Sequence, residues 1–352
     1  MKPFIYQAQP SRVLFGPGSM QHLPRELEAL GATRALVLCT PGQREPAERV
    51  VQLVGARVVG VFARAAMHVP LEVAREGAET ARRLGADCAV AIGGGSTTGL
   101  AKAIALDSGL PILALPTTYA GSEMTPIYGL TEGGVKKTGR DPRALPRTVI
   151  YDAELSLTLP VGVTVTSGLN AIAHAAEGLY AFDGNPITSL MAEEGIRAMA
   201  AALPRLWVDP ENTSARGDAL YGAWLCGAVL GATSMGLHHK LCHSLGGSFN
   251  LPHAEVHTVL LPHALAYNRD HAPEAMARIA RALGSPTAAG GVFDLARRHG
   301  GRSALKDIGM PAEGLERAAE LAVTNAYPNP RPLERSAIRE LLQRAFDGVR
   351  PA

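Results

Sequence analysis

Cysteine is scarce. The 352 residues include four, Cys39, Cys88, Cys226 and Cys242, each in or beside an apolar run, and no CxxC pair. A disulfide framework is therefore not expected, and buried reduced thiols suit a cytoplasmic protein. Cys242 has a base beside it in His243, but the surrounding sequence carries no pattern of a cysteine nucleophile. An excess of charge of one sign is also missing: 34 Lys and Arg stand against 32 Asp and Glu, with no basic run and no basic–aromatic interleaving. That argues against a nucleic-acid partner. The opening MKPFIYQAQPSRVLFG lacks a continuous apolar stretch, so no secretory signal is expected. Internal repeats and low-complexity tracts are absent. What remains is the composition of a folded globular chain, long enough for two domains.

One stretch imitates a membrane span. Ala219 to Leu237, ALYGAWLCGAVLGATSMGL, is nineteen uncharged residues. Its Gly and Ala content, with Tyr221, Trp224, Thr233 and Ser234, predicts a closely packed core helix instead. It runs into His238, His239 and Lys240.

The two halves of the chain read differently. RVLF (12–15), ALVLC (35–39), VVGVF (58–62), CAVAI (88–92) and ILAL (112–115) are short apolar runs separated by segments of helical period, such as 19–30 and 71–84. This alternation predicts a parallel sheet covered on both faces. After Val149-Ile150-Tyr151-Asp152 nearly everything reads as helix: 168–182, 187–206, 215–237, 274–283, 292–299, 315–323 and 333–346. The expected organisation is a Rossmann-like α/β dinucleotide-binding domain over 1–159 and an all-helical domain over 160–352.

CAVAIGGGSTTGLAKAIAL places a buried strand, Gly93, Gly94, Gly95 and Ser96 ahead of a helical run opening near Thr97. Glycines let the backbone approach a ligand, and the helix start offers free N–H groups, which suits a pyrophosphate. The spacing is neither GxGxxG nor Walker A, because Lys102 lies a helical turn too far on. After the next strand, LPTTYAGSEMT supplies Thr117, Thr118 and Ser122, where open α/β sheets bind ligands. The second strand ends at Thr40. A hydroxyl there neither grips a ribose nor repels a 2′-phosphate as an acid would, which leaves NADH and NADPH both open.

Four of the eleven histidines fall within HHKLCHSLGGSFNLPHAE, 238–255. They could be buried structural groups, metal ligands, or groups that handle protons and developing charge. Asn170 and His174 lie four apart in GLNAIAHAAEGLY, on one helix face, and His239 and His243 repeat that spacing. Pro252 is expected to end any helix and to present His253 from a loop. His238, His257, His263 and His271 read as structural or surface residues.

Taken together, AIGGGSTTGLAKA, LPTTYAGSEMTPI, GLNAIAHAAEGLY, HHKLCHSLGGSFNLPHAEVHTVLLPHALAYN and YPNPRPL make the chain resemble the iron-containing (group III) alcohol dehydrogenase superfamily over nearly its whole length. The resemblance implies the fold shared with dehydroquinate synthase. It also implies the branch that reduces an alkene conjugated to a ketone in a dicarboxylate, a CH–CH oxidoreductase of aromatic catabolism using NADH or NADPH. The family's metal-ligand positions map onto Asn170, His174, His239 and His253. Two of them depart from the pattern: Asn170 replaces an aspartate, and Ala254 follows His253 in place of glycine. Loss of the anionic ligand implies that no divalent metal is needed, though His174, His239 and His253 could still hold one. Gly99 stands where relatives carry an aspartate, so cofactor contacts there should differ. The implied chemistry makes His243 the principal acid or enolate partner and His239, His174 and His253 the electrophilic pocket. Lys240, Arg331, Lys137 and neighbouring Lys136 are candidates for the substrate carboxylates, with Asn170 lining the same place. A metal-dependent alcohol or aldehyde dehydrogenase of the same family is the alternative function. A lyase of the dehydroquinate synthase kind and a non-enzymatic nucleotide sensor are more distant ones. A homodimer is expected, with an apolar N-terminal strand available for pairing.

Overall fold

The computed structural model describes residues 11–133 and 135–351 together with Phe4, Tyr6 and Ala8, the side chains of Val135 and Lys136 excepted. The chain divides into two units, Gln9–Leu159 with Glu211–Leu220, and Pro160–Pro210 with Tyr221–Ala352, to which Phe4, Tyr6 and Ala8 also belong.

In the first unit the apolar runs become strands: β1 (Arg12–Phe15), β2 (Ala35–Leu38), β3 (Val58–Phe62), β4 (Cys88–Gly93), β5 (Ile112–Pro116) and β8 (Thr148–Tyr151). They form one six-stranded sheet in the order β1-β8-β5-β4-β2-β3, and every pairing is parallel. β2, β4, β5 and β8 are buried along their whole length, as expected for strands covered on both sides. Helices α1 (Leu23–Ala29), α2 (Arg44–Val54), α3 (Leu71–Arg83) and α4 (Gly95–Ser108) connect them. Two apolar layers result: Leu23, Leu27, Val50 and Val37 on one face, and Leu36, Ala78, Leu100 and Ile104 on the other. A two-stranded antiparallel hairpin, β6 (Ile127–Glu132) and β7 (Val135–Arg140), stands apart from this sheet. Its half-polar sequence gave no apolar run to read.

The second unit is helical among its described residues: α5 (Val161–Tyr180), α6 (Pro186–Val208), most of α7 (Thr213–Ala232), α8 (Leu237–Phe249), α9 (His253–Asn268), α10 (Pro273–Ala282), α11 (Ala288–Arg298), α12 (Gly314–Val323) and α13 (Arg335–Asp347). Gly222 of α7 is needed for packing. A Cβ there would lie 3.0 Å from both Gly195 O and Met199 N of α6. The uncharged stretch is not one helix. α7 ends at Ala232, and α8 sets off from Leu237 at 94° to it. The break is held by side chains distant in sequence: Asp183 accepts from the Ser234 N–H, and Glu177 accepts from the Gly236 N–H at 2.8 Å. No single helix among the described residues is long and apolar enough to cross a membrane, although the bent pair α7–α8 passes that test on length and composition when taken together.

Candidate active site

Two arrangements carry chemistry, one in each unit. In the α/β unit the carboxyl ends of β2, β4 and β5 are neighbours, so the segments after them converge. α4 opens at Gly95 with Gly94 as its N-cap, two residues earlier than the sequence suggests. Gly93 has φ +153, and a Cβ there would fall on Thr97 Oγ1 and within 2.6 Å of Gln43 Oε1. A Cβ on Gly94 would lie 2.8 Å from Thr118 Cγ2, and one on Gly95 3.3 Å from Ala120 Cβ. The three glycines thus let the loop after β5 lie directly on the start of α4. Gln43 ties the edges together. Its Nε2 donates to Thr117 Oγ1 at 2.6 Å, and Thr40 Oγ1 donates to its Oε1 at 3.3 Å. Gln43 escaped the sequence reading; its signal was its place just after the end of β2. Thr97 Oγ1 is buried without a partner, while Ser96, Thr118 and Ser122 remain partly accessible on the same loops. At Gly99 the space of a side chain is taken by Val69, whose Cγ2 lies 2.7 Å from a Cβ position, so an aspartate has no room.

The helical unit gathers six histidines: His174 from α5, His238, His239 and His243 from α8, and His253 and His257 from α9. His257 is central, with ring centroids 4.4 Å from His253, 4.7 Å from His238, 4.9 Å from His239 and 6.2 Å from His174. His174 stacks on His239 at 5.1 Å, and His243 meets His239 edge-on at 6.1 Å. His238 and His257, read from sequence as structural, therefore belong to the cluster. The signal for His257 was present, since His253 and His257 are also four apart. Pro252 masks that signal, because a proline after a helix predicts a loop at His253. Instead Asn250 ends α8 at φ 52, Pro252 is the N-cap of α9, and His253 is that helix's first residue. His263 is buried on α9 and His271 is exposed.

Glu177, one turn beyond His174 on α5, organises this cluster and was not anticipated. Its buried carboxylate accepts from the N–H groups of Gly236 and His238 at 2.8 Å, capping the first turn of α8. It also accepts from His239 Nδ1 at 2.6 Å. Burial alone would push its carboxyl up, but the His239 hydrogen bond and charge, with the Gly236 N–H, outweigh it and hold the carboxyl at about 2. An ionised Glu177 fixes the proton of His239 on Nδ1 and leaves Nε2 buried without a partner. Burial first, and then the other imidazoles, hold His174 and His257 well below the ordinary histidine range and bring His238 to about 3. His174, His238 and His257 are therefore neutral. His243 and His253 are only half-buried and form its accessible side. His243 Nδ1 lies 3.2 Å from the hydroxyl of Tyr327, a residue of the YPNPRPL segment also missed from sequence.

The remaining candidates disperse. Asn170 is buried on α5 with its Oδ1 unpartnered. Lys240 Nζ sits 5.8 Å over the Tyr327 ring, on the His243 side of α8. Arg331 stacks on Tyr267 at 4.1 Å and lines a cavity of about 290 Å³ with His263, Arg269 and Arg344, a lining that includes none of the six clustered histidines. Lys137 is exposed on the hairpin, paired with Glu132 at 3.1 Å; the side chain of Lys136 lies outside the described residues.

Comparison with known proteins bears on both units. The family described as "Iron-containing alcohol dehydrogenase" matches residues 10–153, and "Fe-containing alcohol dehydrogenase family, C-terminal" matches 164–346. The chain is 69% identical to a maleylacetate reductase of Burkholderia cepacia over 352 residues, all of both chains, and 56% identical to one of Sphingobium indicum over 99% of each. The crystal structure of maleylacetate reductase from Agrobacterium tumefaciens superposes with a TM-score of 0.96 at 56% identity, covering both chains completely.

The family's descriptions name iron, and the donor set can be tested against it. Asn170 Oδ1 and His239 Nε2 are unpartnered, but Asn170, His174, His239 and His253 include no anionic ligand. Among the described residues, the one trio of His, Cys, Asp or Glu with ligand atoms within 4.8 Å of one another is His238, Cys242 and His257. There His238 Nε2 and His257 Nδ1 are engaged with each other at 2.9 Å, and burial pushes the Cys242 thiol well above its ordinary range. The mapped set offers neutral donors without the anionic ligand that strengthens a ferrous site, while its three imidazoles still suit a divalent ion.

Proposed function

Because the chain belongs to the iron-containing alcohol dehydrogenase family, we propose from its cluster of six histidines and its full-length likeness to maleylacetate reductases that it reduces the carbon–carbon double bond of maleylacetate to 3-oxoadipate with NADH or NADPH. The observation that carries this reading is the pairing of an Asn at the position of the family's acidic ligand with an imidazole array locked by Glu177. Such a site offers N–H donors to an anion and no carboxylate to a metal.

Gly93, Gly94, Gly95, Ser96 and Thr97 would hold the pyrophosphate of the cofactor, and Thr117, Thr118 and Ser122 would serve its ribose and nicotinamide. Thr40 offers no acidic group to an adenosine ribose, so both reduced cofactors would be admitted. The reduced nicotinamide would supply a hydride to the alkene carbon β to the ketone, and the electron pair of the double bond would then move onto the ketone oxygen as an enolate. His239, His174 and His253 surround that oxygen as the electrophilic pocket: His174 and His253 donate N–H to it, and Glu177, which keeps the His239 proton on Nδ1, holds that ring in place. His243, accessible and oriented by Tyr327, then delivers a proton to the α carbon, and the ketone re-forms. One hydride and one proton are consumed for each double bond. Lys240 is the nearest cation for a substrate carboxylate, with Asn170 at the wall of the pocket. Arg331 and Lys137, held by Tyr267 and Glu132, are weaker candidates.

No step calls on a metal ion. The same reading has the enzyme working in the cytoplasm as a homodimer, paired through β1 at the sheet edge, where Phe15 is exposed. The test is direct: the EDTA-treated, desalted protein is mixed with NADH or NADPH and enzymatically generated maleylacetate, and nicotinamide absorbance is followed. Undiminished oxidation of the cofactor is expected. Activity that returns only with a divalent ion, and only toward simple aldehydes, would establish the alcohol dehydrogenase alternative instead.

A further inference from the structure

Two cations are buried completely in the α/β unit, and neither belongs to the chemistry above. Lys102 lies on α4, and its Nζ reaches Thr125 O at 2.8 Å, Thr125 Oγ1 at 3.0 Å and Ile127 O at 2.6 Å. An ammonium has three donors, and here each meets one acceptor. Arg216, at the start of α7, is the largest fully buried side chain described. Its NH1 donates to the Tyr119 hydroxyl at 3.0 Å and its NH2 to Leu159 O at 3.0 Å. Tyr119 and Thr125 belong to the same loop, Thr117–Thr125, which lies on Gly94 and Gly95.

We propose that Lys102 and Arg216 are positioning residues that clamp this loop near its entry and at its exit, and so hold its hydroxyls in place for the nicotinamide cofactor. The proposal rests on the reading of the loop as the cofactor site.

The argument is one of cost. An apolar side chain of similar volume would fill either position without the desolvation of a charge. The cost is visible at Lys102, where burial brings the ammonium down to about 7 despite the carboxylate of Glu123. What a cation supplies and an apolar group does not is direction. Its N–H groups fix a carbonyl and a hydroxyl in a segment whose one regular piece is the short turn at Ser122–Met124. Both bonds fall where the loop would otherwise be free to shift: Tyr119 follows the two cofactor-facing threonines, and Thr125 follows the short turn at Ser122–Met124. The exit is laced further, because Thr125 Oγ1 also donates to Ser122 O and accepts from the Ile127 N–H, both at 3.2 Å. Glu123, between the two anchors, is buried and accepts from the Tyr151 hydroxyl at 2.8 Å.

The test is a fluorescence titration of NADH and NADPH into the full-length protein and its Lys102→Met, Arg216→Met, Arg216→Lys and Tyr119→Phe variants, with steady-state kinetics alongside. Lys102→Met, Arg216→Met and Tyr119→Phe should each raise the cofactor Kd and KM about tenfold. The KM for maleylacetate and kcat at saturating cofactor should stay within about twofold. Arg216→Lys should recover part of the lost affinity, because it keeps a donor for Tyr119. Tyr119→Phe removes a single oxygen and keeps the question open to measurement if a cation variant does not fold. Folded variants that bind cofactor as the wild type does, even if they melt earlier, would reduce both cations to structural fillers and overturn the proposal. A wild-type protein that binds neither cofactor would overturn the functional reading, and the clamp with it.

Discussion

At Glu177 a single carboxylate joins two structures. It satisfies free N–H groups at the start of α8 and holds His239 by Nδ1. Replacement by glutamine tests this well because the shape is nearly unchanged. The amide keeps one acceptor oxygen but turns two N–H donors toward groups that are themselves donors, and the charge that orients His239 is lost. Glu177→Gln should lower kcat about 10- to 100-fold, as loss of a partner that orients a functional imidazole does. It should also lower stability by about 1–3 kcal/mol, because buried donors are left unpaired. Steady-state kinetics and urea unfolding of the same preparation measure both. A variant with the parent kcat would detach His239 from the chemistry. No residue-level signal in the sequence singled out Glu177. It lies three residues after His174, a spacing that a structural salt bridge, a cap and an exposed acid share equally, and its partners come from a helix about sixty positions away. His239 and His243 were legible because they share one helix and one face. His257 was hidden by a proline that starts a helix instead of leaving a loop.

The strand–glycine–helix element from β4 into α4 was readable almost residue by residue. A buried apolar run, consecutive glycines and a helical period are all local signals, and their consequence is local too. Gly93 is the position with least latitude, combining φ +153 with a missing Cβ that would strike Thr97. Gly93→Ala should therefore cost about 1–3 kcal/mol in backbone strain. It should also weaken cofactor binding, because relief requires the turn to withdraw from the loop it supports. A thermal melt with and without NADH separates the two effects: a lower melting temperature together with a smaller shift on adding cofactor is expected. An unchanged NADH shift would mean that the turn does not touch the dinucleotide. The break between α7 and α8 had no such local signal. Ala219–Leu237 contains no proline, and its glycines and small residues suit a continuous helix. What bends it is the supply of acceptors from Asp183 and Glu177, known only once the helices are packed. The β6–β7 hairpin was unreadable for the opposite reason, as β6 is half-buried, the described residues of β7 are mostly exposed, and both strands are mixed in polarity.

For the molecule as a whole, gathering imidazoles inside the helical unit ties stability to pH. His174, His238, His257 and His263 all have pKa values lowered by burial, to about 3 for His238 and about 4 for His263. In the unfolded chain each returns to the ordinary value near 6.5. Between that value and the folded one, the unfolded state binds protons that the native state refuses, so stability rises with pH and is lost on acidification. Each histidine contributes a slope on the order of 1.4 kcal/mol per pH unit once the pH is well below 6.5. Four such slopes are large against a typical net stability of about 5–15 kcal/mol. Glu177 acts in the same direction but in a lower window. Its carboxyl falls from 4.5 to about 2, so its stabilisation is complete above 4.5 and disappears only as the pH drops toward 2. Urea unfolding from pH 7.5 to 5.5 reads the histidines together with Lys102, whose ammonium burial brings down to about 7. The midpoint should rise gently with pH above 7, where Lys102 is losing its proton in the folded chain alone, and fall steeply below 6.5. His263→Gln removes one proton-binding site remote from the cluster and should make that fall shallower while leaving turnover intact. A midpoint unchanged across the range would mean that the interior histidines take up protons in the folded protein as readily as in water. The site would then present imidazolium to the enolate instead of a neutral N–H.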